Sequence, residues 1–122
     1  MPRWTDAYRL RDWIEAPMEA GLYEIGRVRK ALGKDHYVFT PLYLGKSNHS
    51  IQGRLRKHYL GIGSQSIAEY RIRVGRDWLY FHTMQTEDYD AMEARLLDRL
   101  GIGPDGYYRA NRKYEKLPDD DE

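Results

Sequence analysis

Residues 43–59 read YLGKSNHSIQGRLRKHY, and the second half of that stretch concentrates Arg54, Arg56, Lys57 and His58. Arg54 and His58 stand four residues apart, so on a helix one lies a turn above the other. An arginine offers a planar fork that fits phosphate and stabilises charge developing there. A histidine one turn on can donate to a phosphate oxygen or help to move a proton. A solvated basic helix is the plain alternative, and the run alone does not choose between them. Farther along, Glu93 supplies the carboxylate oxygen that a hard divalent ion prefers. Arg95 and Arg99 nearby would equally suit an exposed helical carboxylate with arginine neighbours.

These residues need elements to hold them. Ser50 can cap a helix over roughly 51–59, with Ile51 and Leu55 facing one way and Arg54 and His58 on another face. Before it, GLYEIGRV (21–28) and YVFTPLYLG (37–45) read as two strands of an antiparallel hairpin, with Pro41 expected at an edge or a bulge. Thr5 can cap a helix running to about Ala16, where Leu10, Trp13 and Ile14 form a stripe and Pro17 ends it. Residues 60–76 read as a loop with a short strand at Tyr70–Val74, and Trp78–Met84 as a strand burying Leu79, Phe81 and Met84. Thr86 is placed to cap a helix over 87–100, with Met92, Leu96 and Leu100 as its core stripe and Gly101 as its stop. The order is α+β with a small, mainly antiparallel three-stranded sheet flanked by helices.

A chain of 122 residues suits one domain and its core. Cysteine is absent, which excludes disulfides, zinc–thiolate sites and cysteine nucleophiles and fits a reducing, cytoplasmic setting. No apolar run reaches the ~20 residues of a membrane span, and the amino terminus lacks a signal-peptide core. The net charge of +1 conceals an asymmetry, with +8 over residues 21–76 and −6 over residues 77–122. A central basic block points to a polyanion, because lysine and arginine gain affinity by releasing phosphate counterions. The acidic end, Asp119 to Glu122, follows Pro118 and reads as a disordered solubilising tail. His36, His49 and His82 show no metal-ligand spacing and stay unassigned.

Gly21-Leu22-Tyr23, then Tyr43-Leu44-Gly45, then Arg54 and His58, then Glu93 and Asn111 follow the order of the GIY-YIG nuclease domain, which the chain resembles over roughly residues 20–112. Leu22 and Leu44 stand where the family's tripeptides have isoleucine, and the interval from Glu93 to Asn111 is longer than in the simplest members. The resemblance implies a nuclease domain over 21–114, with residues 1–20 as an amino-terminal helical extension and 115–122 as the acidic tail. It also implies catalytic roles for Tyr23, Tyr43, Arg54, His58, Glu93 and Asn111, and favours Arg54 over Arg56. Glu93 would anchor the metal and Arg54 would clamp phosphate. Tyr23 would activate the attacking water: a phenol of pKa ~10 is a poor base unless a metal and a guanidinium favour its charged form. Tyr43 would orient water or phosphate, and Asn111 would brace the group through side-chain hydrogen bonds.

The expected reaction is hydrolysis of DNA phosphodiesters with Mg²⁺, or Mn²⁺ in its place. Lys46, Arg56 and Lys57 would add contacts to duplex or branched DNA. A catalytically silent nucleic-acid-binding module of the same fold is the alternative, and an interaction protein with an acidic partner a third. The chain has little room for a recognition domain, so targeting would come from DNA shape or a protein partner, with the chain as a monomer or homodimer and no membrane involved.

Overall fold

The computed structural model describes residues 3–30, 37–103 and 106–111. The two long hairpin strands form as the alternation predicts: β2 (Gly21–Lys30) pairs antiparallel with β3 (Tyr37–Ser47). Their register pairs Ile25 with Tyr43 and then Gly26 with Pro41, so Leu42 is the extra residue of a bulge. Pro41 therefore sits beside the bulge on an edge strand, where its missing N–H costs no interior ladder bond.

The sheet has four strands, one more than the sequence suggests, in the order β1–β4–β2–β3 and antiparallel throughout. The extra strand is β1 (Tyr8–Arg9), paired with β4 (Tyr80–Gln85). It replaces part of the helix expected over 5–16. The Thr5 N–H bonds to the Thr83 carbonyl and the Leu10 N–H to that of Leu79, so this backbone spends its donors on the region of β4. Only Leu10–Glu15 coils, as a 3-10 segment kinked at Asp12. Leu10 is fully buried and Ala16 nearly so, which makes this segment part of the core.

Helix α1 (Ile51–Leu60) begins where expected, with the Ser50 hydroxyl accepting from the Gly53 N–H. Two further first-turn donors, the Ile51 and Gln52 N–H groups, bond to the Glu19 and Pro17 carbonyls. The stretch read as a strand at 70–74 is instead α2 (Gln65–Tyr70) running into a π turn over Arg71–Gly75. Ser64 caps α2, and Ile67 anchors it in the core while Ile72 stays exposed. The Arg71 side chain also ties this region to the end of α1 by donating to the Tyr59 carbonyl at 2.8 Å. An alternation of apolar residues thus marks one buried position and a solvent face, not a pleat.

Helix α3 (Tyr89–Leu100) starts two residues later than expected, because the Thr86 hydroxyl accepts from the Asp88 N–H and forms a turn ahead of the helix. Its buried residue is Leu97, with Met92, Leu96 and Leu100 packed against the same cluster.

Alternation along β2 divides the core in two. Tyr23 and Ile25 join Tyr43, Phe81, Ile51, Leu55 and Ile67 on the α1 face. Leu22 joins Leu44, Met84, Leu97 and Tyr108 on the α3 face. The acidic tail lies outside the described residues. No helix among the described residues is long and apolar enough to cross a membrane.

Candidate functional site

Ile51, Arg54, Leu55 and His58 form one buried stripe of α1 at helical spacing, which corrects the division of the helix into an apolar face and a separate Arg54–His58 face. Arg54 is 1% exposed and His58 fully buried, and both point at the sheet. Opposite them, the Tyr23 hydroxyl lies 2.8 Å from the His58 Nε2. The Tyr43 ring meets the His58 ring edge-on, with centroids 5.2 Å apart. Glycine at position 45 is what admits the Tyr23 ring: the two residues are cross-strand partners, and a Cβ on Gly45 would overlap the end of the phenol.

The hydrogen-bond network fixes the histidine's tautomer. The Ser64 N–H donates to the His58 Nδ1 at 3.4 Å, which leaves the ring proton on Nε2. His58 then donates to the oxygen of Tyr23, which is itself fully buried. Burial, reinforced by the neighbouring Arg54 charge, lowers the His58 pKa to about 3. At neutral pH this histidine is an uncharged donor with its Nε2 directed at Tyr23.

Glu93 approaches from the other face of the sheet, on α3, at the level of Lys46 in β3. The Lys46 ammonium lies 2.5 Å from Asp90 and 3.6 Å from Glu93. Burial pushes the Glu93 carboxyl above its ordinary range, against the pull of Lys46 and, more weakly, Arg54. For Lys46, burial works downward, but Asp90 and Glu93 outweigh it and raise its pKa. Since Arg54 acts on both Glu93 and His58, the cluster is electrostatically continuous around the β3 edge.

Asn111 closes that edge. Its side chain accepts from the Leu44 N–H at 2.8 Å and donates to the Leu44 carbonyl at 2.9 Å. The Ala110 N–H bonds to the carbonyl of Leu42, the bulge residue. Backbone groups that an edge strand would leave open are thereby satisfied on either side of Tyr43.

Six residues singled out for catalysis therefore lie around one strand edge. Tyr23, Tyr43, Arg54 and His58 are inside, Asn111 seals the edge, and Glu93 is the more accessible member. Lys46 is engaged by the two carboxylates. Arg56 diverges from the group, with its guanidinium 5.8 Å from the Trp13 ring centre. Asp90, one turn before Glu93, was not anticipated; the i, i+3 spacing of two acids on one helix was its available signal.

The donor set at this corner suits a hard divalent ion, since Mg²⁺ uses one or two carboxylates and leaves its other positions to water and phosphate. Among the described residues no group of three or more potential side-chain ligands converges. An ion here would compete with the Lys46 ammonium.

A second polar group lies on the α3 face and went unread in the sequence. The His82 Nε2 is 2.6 Å from one oxygen of Glu24, and the Tyr108 hydroxyl donates to the other. Burial, with the Glu24 carboxylate, raises the Tyr108 pKa far above its usual value. Trp4 stacks on His82 at 4.4 Å, and Phe39 lies 4.3 Å from the same ring. A glutamate inside the apolar run GLYEIG was the one hint that a partner waited across the sheet. No family model matches the chain, and no curated protein or solved structure matches it either.

Proposed function

We propose that this chain is a GIY-YIG-like, metal-dependent endonuclease that hydrolyses DNA phosphodiesters. The observation that carries the reading is the meeting of the Tyr23–His58 pair with Arg54 and Glu93 around one strand edge. In this reading the Tyr23 hydroxyl first gives up its proton to solvent, the phenolate keeps the Nε2–H of the neutral His58 as its donor, and Tyr23 then takes a proton from the attacking water. Arg54 supplies fixed positive charge for the phosphate. Glu93, with Asp90 beside it, would hold Mg²⁺ or Mn²⁺. Such an ion, when bound, neutralises charge on the phosphate and helps the leaving oxygen. Lys46, Arg56 and Lys57 are proposed to contact the DNA backbone, and a cytoplasmic setting fits the absence of cysteine.

A second reading, a nucleic-acid-binding module that does not cleave, is favoured by the burial of the site. Tyr23, Arg54 and His58 are each exposed by 1% or less, and Lys46 lies against Glu93. The two readings separate on a panel of labelled duplex, single-stranded, flap and four-way-junction DNAs, each incubated with Mg²⁺, Mn²⁺ or EDTA. Cutting of at least one DNA with metal and none in EDTA is the expected result. DNA that is shifted but uncut in every lane would favour the binding module.

A further inference from the structure

On the α3 face of the sheet, beyond the Glu24–His82 pair, a cavity of about 700 Å³ opens between the start of the chain and the strands. Its walls include Arg9, Arg27, Phe39, Trp78, Tyr80 and His82. The volume falls in the range of small-ligand sites, roughly 300–1,000 Å³. Tyr23, Tyr43, Arg54, His58, Glu93 and Asn111 are absent from its lining. This cavity is therefore separate from the edge cluster and uses none of its residues.

The lining has a definite chemistry. The Arg9 guanidinium lies 5.4 Å from the Trp78 ring centre and 5.8 Å from that of Tyr80. Among the described residues neither Arg9 nor Arg27 has an ion-pair partner, and the one carboxylate in the lining is Asp6. Trp78 leaves 59% of its surface in solvent although it is the largest side-chain type there is. His82, by contrast, is held by Glu24 and covered by Trp4 and Phe39, so it serves as a fixed wall.

The geometry points to a binding site for one unpaired nucleotide of a single-stranded nucleic acid. Its base stacks on the exposed indole of Trp78, and its phosphate meets Arg9, whose guanidinium lies over the Trp78 and Tyr80 rings. Aromatic stacking needs an open π-face, which a base inside a duplex does not present, while guanidinium groups need the phosphate. An exposed indole beside an arginine with no ion-pair partner among the described residues satisfies both demands, and a purely apolar occupant would leave that arginine unused. The site rests on nucleic acid being the ligand of the chain and not on cleavage.

The test is fluorescence anisotropy in EDTA, where metal-dependent cleavage is blocked, with a labelled short oligothymidylate and a labelled duplex as probes. Trp78→Ala and Arg9→Gln should each weaken oligothymidylate binding, the first by about tenfold or more, with duplex binding changed by less than about twofold. Trp78→Phe, which keeps a ring, should retain most of the affinity. Oligothymidylate binding unchanged in Trp78→Ala would overturn the assignment, as would equal losses on both probes. A wild-type chain that ignores oligothymidylate would overturn it too. Glu93→Ala run beside them separates this site from the nuclease reading, because it should lose cutting and keep oligothymidylate binding.

Discussion

On the face of the sheet covered by α1, His58 meets the Tyr23 hydroxyl under the influence of Arg54; on the face covered by α3, His82 meets the Glu24 carboxylate, whose other oxygen takes the Tyr108 hydroxyl. Both are histidine–oxygen pairs in the same sheet, yet their surroundings differ. His58 has a cation beside it, no exposure, and a neutral ring. His82 has an anion beside it and two aromatic rings against its own. A neutral donor aimed at a phenol can tune proton transfer. A carboxylate satisfied by two fixed donors is bound up in holding strands and chain ends together. The first arrangement suits chemistry and the second suits scaffolding.

Acid should widen the difference most. The His58 pKa is about 3 when folded, against the ordinary 6.5, so the unfolded chain binds more protons between those values. Its contribution to stability is complete above pH 6.5 and is lost as pH falls toward 3, at about 1.4 kcal/mol per pH unit within that window. Urea unfolding at pH 6.5 and 4.5 reads this directly. His58→Gln should flatten the dependence by that amount, and an unchanged slope would mean that His58 is not held neutral.

Next in size, Glu24→Ala strands the buried hydroxyl of Tyr108 and the ring nitrogen of His82, and should cost about 1–3 kcal/mol of folding stability. Thermal melts would check it, and a variant as stable as the parent would show that the pair holds nothing together. Tyr23→Phe removes one hydrogen-bonding oxygen and should cost about 1 kcal/mol. In the proposed nuclease it should also slow cleavage far beyond that modest destabilisation. Full cleavage activity in this variant would move the base role off Tyr23.

Much of this was legible in the sequence where local rules act alone. The Ser50 cap, the β2–β3 hairpin and the strand-edge proline follow from side-chain hydrogen bonding, alternation and a missing N–H. Reading went astray where tertiary contacts override propensity. Residues 5–9 give their backbone to β4, and α2 depends on burying Ile67. Arg54 and His58 were set on a face apart from Ile51 and Leu55, although 51, 54, 55 and 58 have the spacing of a single buried face. That Glu93 comes from the opposite side of the sheet could not be read from spacing, since it depends on which face α3 covers. Glu24, His82 and Tyr108 lie up to 84 residues apart, and no local pattern links them.

The most direct test of the division between the two faces is single-turnover cleavage of a labelled branched DNA with Mg²⁺ by the parent chain, Glu93→Gln and Glu24→Gln. The account predicts a loss of at least about 100-fold for Glu93→Gln, as expected when several kcal/mol of charge stabilisation disappear, with DNA binding retained. It predicts a rate near the parent's for Glu24→Gln at a temperature where that variant is folded. Undiminished cleavage by Glu93→Gln, or an equal loss in the two variants, would contradict it.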